Sequence, residues 1–296
     1  MAQTKNTSRW RDLYNDALRA VGSESEARWL VEDATGFPWT ELVGEDPRVS
    51  DAAVLRLKSM IERRSVGEPL QYVLGHWSFR TLDLMVDGRV LIPRPETERV
   101  VEIALGEIDR MRQRDPGRRL VAVDLGTGSG AIALSIAAER QKVEVWATDR
   151  SAEALEVASA NLAGLGGFRA TRVRFAEGSW WSALPPELGG RIDLVVSNPP
   201  YVSSGEMESL EPTVREWEPA DALLAGVDGL EAVESILSEA AGWLAEGAAA
   251  VIEIAPHQAE SATGLALRHG FATARIERDL AGRERVLVAG MPGEVP

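Results

Sequence analysis

The amino-acid sequence predicts an α/β protein with a parallel β-sheet and a smaller helical domain ahead of it. From Leu120 onward, short apolar runs alternate with segments of helical period, and this alternation is typical of parallel sheets covered by helices. Residues 7–64, by contrast, carry apolar side chains at helical spacing. A chain of 296 residues is long enough to form two domains of unequal size.

Three helices are predicted in the N-terminal part of the chain. Ser23 and Ser50 are suited to cap the starts of the second and third helices, and Gly36 with Pro38 ends the second. We therefore predict a small helical bundle and assign residues 1–75 to it. The apolar positions that share a face in each helix are Leu13, Ala17, Leu18 and Val21, then Ala27, Leu30, Val31 and Ala34, then Val54, Leu55, Met60 and Ile61.

A β-hairpin is predicted between the bundle and the sheet. Asp87-Gly88 lies between two short extended runs within residues 79–91, and Asp-Gly is a favoured hairpin turn. We assign residues 76–94 to this linker and residues 95–296 to the second domain. A helix should begin at Pro93-Arg94-Pro95, because proline suits the first turn of a helix.

Seven short strands are predicted in the second domain, with helices between them. The strand near Ala274 has the weakest pattern, and helices cover residues 151–163 and 228–244. The other six strands cover residues 120–123, 143–148, 171–175, 192–197, 248–254 and 285–289.

Composition excludes several classes of function. The 32 Lys and Arg against 46 Asp and Glu give a net charge of −14, which argues against nonspecific binding of nucleic acid. The absence of cysteine rules out disulfides, thiolate metal sites and a cysteine nucleophile. The three histidines are widely separated, so no metal site is expected. No apolar stretch reaches the ~18 residues of a membrane span and the first residues are polar, so we expect a cytoplasmic protein without a membrane partner.

A glycine-rich loop follows the first strand of the sheet. Gly126, Thr127, Gly128, Ser129 and Gly130 lie between this strand and a helix, where glycines let a ligand approach the backbone and the helix N-terminus offers N–H donors. The loop also satisfies the looser fingerprint of nicotinamide dinucleotides, so the loop alone does not identify its ligand. The acidic residue ahead of the loop and the third glycine favour the form found in methyltransferases.

Two further positions at strand ends are candidates for binding an adenosine ligand. Asp149 ends the second strand, where doubly wound folds place a carboxylate that binds ribose hydroxyls. Its alternative role is to cap the next helix, which Ser151 is also suited to do. Trp180 and Trp181 follow the third strand; one ring is a candidate for packing on adenine and the other for the core, and the sequence does not distinguish them.

The tetrapeptide Asn198-Pro199-Pro200-Tyr201 directly follows the fourth strand. Proline fixes φ and has no N–H, so the strand stops abruptly and leaves backbone carbonyls free. An Asn amide, free carbonyls and an aromatic ring together can bind a planar –NH2 group, because they accept its hydrogens and pack on its π surface. The alternative is an ordinary turn that ends the strand.

These motifs, in this order, resemble the HemK/PrmC family of bacterial release factor glutamine N(5)-methyltransferases. The resemblance covers nearly the whole chain. It departs from the family at Ala255, where glycine is common, which puts the shape of that loop in question. Besides the glycine loop and the Asn-Pro-Pro-Tyr motif, the matching segments are 67–72 with Gly75, 91–98, Glu218-Pro219, Asp228-Gly229-Leu230 and 279–283.

The resemblance implies a fold, a cofactor and a substrate. The fold is a Rossmann-like class I methyltransferase sheet of seven strands, and the cofactor is S-adenosyl-L-methionine, bound by Gly126 to Gly130, Asp149, Trp180 and Asn198. The product is S-adenosyl-L-homocysteine. The substrate is the glutamine of the Gly-Gly-Gln motif in class I peptide chain release factors, whose methylation modulates translation termination.

The resemblance also implies catalytic and substrate-binding residues. Asn198 Oδ1 and the Pro199 carbonyl would accept the two hydrogens of the glutamine amide and stabilise positive charge on its nitrogen. Pro199-Pro200 would stiffen the site, and Tyr201 would pack on the amide plane.

Three other functions are compatible with parts of the sequence. A glutamine methyltransferase of a large-subunit ribosomal protein would share the same amide-binding motif, although residues 92–98 resemble the release-factor branch more closely. A methyltransferase of adenine in DNA also uses this kind of motif on a flipped base, but the net charge of −14 disfavours it. A nicotinamide oxidoreductase would explain the glycine loop and leave the Asn-Pro-Pro-Tyr motif unexplained.

Overall fold

A computed structural model describes residues 9–293, which form two compact units. One unit runs to His76 and also contains Pro212–Trp217; the other contains Trp77–Glu211 and the chain from Glu218 onward. The membership of residues 212–217 in the helical unit is not predicted from the sequence. The polar first residues and the predicted helix start at Thr7 lie outside the described residues.

The helices and strands follow each other as the sequence predicts from Leu120 onward. The helices are α1 (Trp10–Val21), α2 (Glu24–Thr35), α3 (Trp39–Glu45), α4 (Asp51–Ser65), α5 (Leu70–Leu74), α6 (Pro95–Arg114), α7 (Ala131–Glu139), α8 (Ala152–Leu165), α9 (Gly167–Ala170), α10 (Pro212–Trp217), α11 (Glu231–Trp243) and α12 (Ala259–Arg268). The strands are β1 (His76–Phe79), β2 (Leu82–Met85), β3 (Leu120–Leu125), β4 (Val143–Asp149), β5 (Val173–Glu177), β6 (Ile192–Ser197), β7 (Leu244–Glu253), β8 (Thr273–Arg278) and β9 (Glu284–Gly290).

The helical unit is built on α1, α2 and α4, the three predicted helices. The Ser23 hydroxyl accepts from the N–H of Glu26, and the Ser50 hydroxyl from the N–H of Ala53, which confirms both predicted caps. Gly36 closes α2 with a φ of 73°. The short helices α3 and α5 were not predicted, because neither is long enough to show a clear helical period.

A β-hairpin lies within residues 76–94, but its turn is not at Asp87-Gly88. Strands β1 and β2 are joined by Arg80 and Thr81, and Arg80 has a φ of 52°. Arg80 is held in this left-handed conformation by its neighbours: its N–H donates to Glu98 Oε1 at 2.9 Å, and its guanidinium binds both oxygens of Glu139. The prediction for Asp87-Gly88 was therefore wrong, because tertiary contacts fix the turn elsewhere.

The seven-stranded sheet has the order β5-β4-β3-β6-β7-β9-β8, which confirms the predicted fold class. Strand β3 pairs in parallel with β4 on one side and with β6 on the other. The strand order thus reverses at β3, and in open α/β sheets such a switch point opens a crevice at the carboxyl ends of the strands. The glycine loop follows β3 and the Asn-Pro-Pro-Tyr motif follows β6, so both lie beside this crevice.

The last strand departs from a purely parallel sheet. Strand β9 is antiparallel to both β7 and β8, because only the short turn after β8 precedes it and no crossover helix is present there. Buried apolar side chains cover both faces of the sheet and form two clusters, one centred on α6 and α7 and the other on α11 and α12. Within residues 9–293, none of the helices combines the length and apolar character needed to cross a membrane.

Candidate active site

A cavity of about 600 Å³ opens at the carboxyl ends of the central strands. This volume is in the range typical of sites for small ligands and cofactors. The loops after β3, β4, β5 and β6 all contribute to its lining, through Gly126, Asp149, Trp180 and Asn198 respectively. Four residues that the sequence singled out at separate strand ends are thus brought together in one cavity.

The glycine loop turns sharply from β3 into α7. Gly126, Gly128 and Gly130 have φ values of 75°, 54° and 85°, which side chains with a Cβ rarely adopt. A Cβ at Gly130 would lie 3.0 Å from Leu134 Cδ1, so the Leu134 side chain would have to shift to accommodate it. The N–H groups of Gly126 and Thr127 both donate to the Thr148 carbonyl, at 2.9 and 2.8 Å, which fixes the loop to the end of β4.

Asp124, at the end of β3, holds the glycine loop by hydrogen bonds to the loop and to α7. Its Oδ2 accepts from the Thr127 hydroxyl at 2.7 Å and from the N–H of Ala133 at 3.1 Å. Complete burial raises the pKa of its carboxyl to about 7, against the opposing effect of these hydrogen bonds, and the charge of Asp149 adds to the increase.

The Asp149 side chain points to the glycine loop and does not cap the helix α8 that follows it. Its Oδ2 accepts from the N–H of Gly128 at 2.9 Å, and its Oδ1 accepts from the N–H of Ser151 at 3.0 Å. The Ser151 hydroxyl caps α8 by accepting from the N–H of Ala154. The capping role considered for Asp149 therefore belongs to Ser151, and the carboxylate lies against the glycine loop in the cavity wall.

The two adjacent tryptophans have different positions. Trp181 is fully buried, donates from Nε1 to the Ile236 carbonyl at 2.9 Å and stacks on Trp243. Trp180 lines the cavity and has a φ of 47°, an unusual conformation for a bulky residue. Its ring lies 3.7 Å from the position that a Cβ on Gly126 would take. Trp180 is thus the ring that faces the glycine loop, whereas Trp181 belongs to the core.

Asn198 presents a hydrogen-bond acceptor that the protein leaves unused. Its Nδ2 donates to the Thr97 hydroxyl at 3.2 Å. Its Oδ1 is buried and has no hydrogen-bond partner among the described residues. Leaving such an acceptor unsatisfied costs free energy, so a ligand N–H is the natural group to complete it.

The remaining residues of the Asn-Pro-Pro-Tyr motif are placed differently. Pro200 lines the cavity beside Asn198, whereas Pro199 is buried; neither Pro199 nor Tyr201 is among the described residues that line the cavity. The Tyr201 ring lies under the Arg285 guanidinium, 6.0 Å from ring centre to Cζ. Burial raises the pKa of its phenol to about 12, so Tyr201 stays neutral at physiological pH.

A side chain that sequence reasoning missed fixes the backbone of the motif. Gln258 Nε2 donates to the carbonyls of Tyr201 and Gly229, at 3.1 and 3.0 Å. A Cβ on Gly229 would lie 2.5 Å from the Tyr201 carbonyl oxygen, so this position requires glycine. Gln258 Oε1 accepts from the N–H of Ala255, whose φ of −71° is ordinary for any residue. The alanine found where the family commonly has glycine is therefore accommodated without strain.

Segment 88–97 also contributes to the site, although the sequence assigned it no role there. Gly88 to Leu91, Pro93 and Thr97 line the cavity. The segment is anchored by the buried carboxylate of Glu218, which binds the Arg94 guanidinium and accepts from the N–H of Ile92. The resemblance to family segments at 91–98 and 218–219 was the available signal, but it did not reveal that these two segments contact each other.

Charges in the cavity wall favour a cationic ligand. The carboxylates of Asp149, Glu153, Asp221 and Glu231 line it, against two guanidiniums. Both guanidiniums are paired: Arg89 binds Asp87 and Glu156, and Arg150 binds Asp221. The lining therefore carries an excess of negative charge.

Two sequence profiles match the chain. The profile of the Methyltransferase small domain matches residues 108–215, and that of the PrmC N-terminal domain matches residues 11–75. The first match covers the glycine loop, Asp149, Trp180 and Asn198. The fold is shared with the hMettl16 catalytic domain, solved in complex with the MAT2A 3'UTR hairpin 6, with a TM-score of 0.54 and 13% identity over 86% of this chain and 88% of that one.

Release factor glutamine methyltransferases from several bacteria are similar along most of their length. That of Xylella fastidiosa strain 9a5c is 39% identical over 86% of this chain and 88% of its own. The Moorella thermoacetica protein is 40% identical over 94% of this chain and 97% of its own, and the Rhodopirellula baltica protein 34% over 97% and 98%. These matches confirm the resemblance drawn from the motifs. The chain therefore belongs to the release factor glutamine methyltransferase family.

Proposed function

We propose that this protein transfers a methyl group from S-adenosylmethionine to the side-chain amide nitrogen of the glutamine in the Gly-Gly-Gln motif of class I peptide chain release factors. The observation that carries the proposal is the buried, unpartnered Oδ1 of Asn198, in the same cavity as the glycine loop and Asp149. An acceptor placed in this way favours a substrate group that carries an N–H donor over one that offers only acceptors or is anionic.

The cavity fits S-adenosylmethionine better than a nicotinamide dinucleotide. When bound, S-adenosylmethionine supplies an electrophilic methyl group on a positively charged sulfonium. The excess of carboxylates in the lining suits this cation and opposes the pyrophosphate of a dinucleotide. Asp149 would accept from the ribose hydroxyls, Trp180 would pack on the adenine, and residues 126–130 would offer close backbone contact.

Residues of this chain would catalyse the transfer by positioning and electrostatics. The amide nitrogen of glutamine is a weak nucleophile because its lone pair is delocalised into the carbonyl. Asn198 Oδ1 and the Pro199 carbonyl would accept its two hydrogens, which orients the nitrogen and stabilises the positive charge that develops there. Tyr201 would border the amide plane, and the Arg285 guanidinium, 6.0 Å from the ring centre, would help to hold its ring in place.

The helical unit is the proposed recognition surface for the release factor. A glutamine side chain is too small and too common to specify one protein, so discrimination needs contact area beyond the catalytic cavity. In this unit Leu55 and Val66 are 67% and 69% exposed. They lie eleven positions apart at α4 and its C-cap, close to three helical turns, and therefore on one face.

The proposal is tested by methylation of purified release factor and of a short peptide containing Gly-Gly-Gln, with the modified residue located by mass spectrometry. Methylation of that glutamine in the intact factor supports the proposal, and methylation of another residue or of neither substrate contradicts it. Leu55→Asp with Val66→Asp should lower kcat/KM on the intact factor and leave the peptide unaffected. Leu267→Asp, 51% exposed on α12, is the matched control for a surface apolar-to-acidic change.

A further inference from the structure

Three side chains from distant parts of the sequence form a chain of hydrogen bonds behind the cavity. Asn198 Nδ2 donates to Thr97 Oγ1 at 3.2 Å, and Thr97 Oγ1 donates to Glu253 Oε2 at 2.7 Å. Asn198 follows β6, Thr97 lies in the first turn of α6, and Glu253 ends β7. Thr97 is 3% exposed and Glu253 is fully buried, so water does not compete for these bonds.

The direction of each bond follows from the donors available. A carboxylate only accepts, and a hydroxyl has a single hydrogen to donate. Because Thr97 gives that hydrogen to Glu253, its oxygen can only accept from Asn198. The Asn198 amide must then turn Nδ2 toward Thr97, and Oδ1 is left as its unpaired atom.

We propose that Glu253, acting through Thr97, fixes the orientation of the Asn198 amide so that Oδ1, and not Nδ2, meets the amide of the substrate glutamine. The inference rests on the proposed function of this site. Thr97 and Glu253 are positioning residues, since neither is proposed to touch the reacting atoms. The reversed amide would set an N–H donor against the –NH2 group of the substrate, and it would repel the positive charge that develops on the nitrogen.

We call the hydrogen bonds from Asn198 through Thr97 to Glu253 the relay. The charge state of Glu253 determines whether the bonds of the relay keep their direction. Burial raises the pKa of its carboxyl to about 7; Thr97 opposes this through its hydrogen bond, Arg285 and Arg94 oppose it through their charges, and Glu96 adds to it. The neighbouring Tyr201 is neutral at this pH. A protonated Glu253 is able to donate to Thr97 Oγ1, and the hydroxyl is then free to donate to Oδ1 of a reversed Asn198.

This relay predicts a pH dependence of a defined sign. The ionised form of Glu253 holds the productive orientation, so kcat should rise as the pH increases through about 7 and level off above it. In Glu253→Gln the side chain offers both a donor and an acceptor at every pH. The rise near pH 7 should therefore disappear, and kcat should stay below the wild-type plateau at every pH.

The test compares Thr97→Val, which removes the hydroxyl at nearly constant volume, with Thr97→Ser, which keeps it. Methylation of release factor is measured at saturating substrates, together with cofactor affinity by calorimetry and thermal unfolding. Thr97→Val should lower kcat about tenfold to hundredfold with cofactor affinity unchanged, and Thr97→Ser should restore most of it. Thr263→Val, which removes a hydroxyl bonded to the Ala259 carbonyl in α12, is the matched control and should have wild-type kcat.

Unchanged kcat in Thr97→Val, or equal loss in Thr97→Val and Thr97→Ser, would overturn the relay. If Thr97→Val does not fold, the pH profiles decide the question, measured in an Asp124→Asn background because the Asp124 carboxyl also has a pKa of about 7. A rise near pH 7 that persists when Glu253→Gln is added to this background contradicts the proposal. Failure of the proposed function is a separate result, because the wild-type protein would then not methylate the release factor glutamine at all.

Discussion

The backbone N–H of Gly128 donates to Asp149 Oδ2 at 2.9 Å, and this bond joins the two loops that the sequence marked as a candidate cofactor site. The glycine loop follows β3 and the carboxylate ends β4, and these strands are parallel neighbours. A bound adenosine ligand would compete with Gly128 for this carboxylate or share it. Asp149 is thus both a part of the cavity wall and a candidate ligand-binding group.

Asp149→Ala should weaken the binding of S-adenosylmethionine by about 1.5–3 kcal/mol, the range for hydrogen bonds to a charged group. Isothermal titration calorimetry measures the effect. Glu260→Ala, at an exposed position in the first turn of α12, is the control for removing a carboxylate. Equal cofactor affinity in wild type and Asp149→Ala would show that Asp149 only braces the glycine loop.

The tryptophan pair should separate cofactor binding from stability. Trp180→Ala removes a ring that lines the cavity, so it should weaken cofactor binding by about 1–3 kcal/mol. Trp181→Ala removes a fully buried ring and a hydrogen bond to Ile236, so it should lower the free energy of unfolding by about 3–5 kcal/mol. Calorimetry and urea unfolding of both variants check this, and the reverse assignment of effects would contradict it.

Gly229→Ala should disturb the Asn-Pro-Pro-Tyr motif without altering any of its side chains. The added methyl would lie 2.5 Å from the Tyr201 carbonyl oxygen, at a φ of 77° that alanine rarely adopts. We expect a cost of about 1–3 kcal/mol in stability and a fall in kcat. Gly205→Ala is the matched control, since a Cβ there would meet nothing within 4 Å. Wild-type activity and stability in Gly229→Ala would contradict this, because they would show that the loop shifts to accommodate the methyl group without cost.

Asp124→Asn should change how stability depends on pH. The Asp124 carboxyl has a pKa of about 7 in the folded chain against an ordinary value of 3.8, so unfolding releases a proton between these values. Stability contributed by this group is therefore lost as the pH rises from about 4 to 7, with a slope of at most about 1.4 kcal/mol per pH unit. Thermal unfolding across this range should show a difference between wild type and variant that shrinks toward low pH. A pH-independent difference would contradict this.

The part of the site that follows from strand order could be predicted from sequence. The carboxyl ends of parallel strands meet at one edge, so motifs after β3, β4 and β6 had to lie near each other. The relay behind Asn198 could not be predicted, because its bonds span 101 and 156 residues of sequence. Thr97 and Glu253 are ordinary residues in their own segments. Only the folded structure brings them into contact.

The turn of the β1–β2 hairpin could not be predicted from local sequence either. Asp87-Gly88 has the local chemistry of a turn, and the side chain of Asp87 does accept from the N–H of Arg89 at 3.0 Å. The turn between β1 and β2 nevertheless lies at Arg80, where Glu98 and Glu139 hold a positive φ. Local preference was outweighed by partners that are distant in sequence.

In the proposed mechanism Asn198 supplies the acceptor for the glutamine amide, and single-turnover methyl transfer by Asn198→Ala measures what this acceptor contributes. The variant should bind S-adenosylmethionine in calorimetry with an affinity close to that of the wild-type protein, because the glycine loop, Asp149 and Trp180 remain. Its rate of methyl transfer to release factor should fall by about a hundredfold to a thousandfold, the loss typical of removing one group that stabilises transition-state charge. Transfer at the wild-type rate, with the same glutamine modified, would contradict the proposed mechanism.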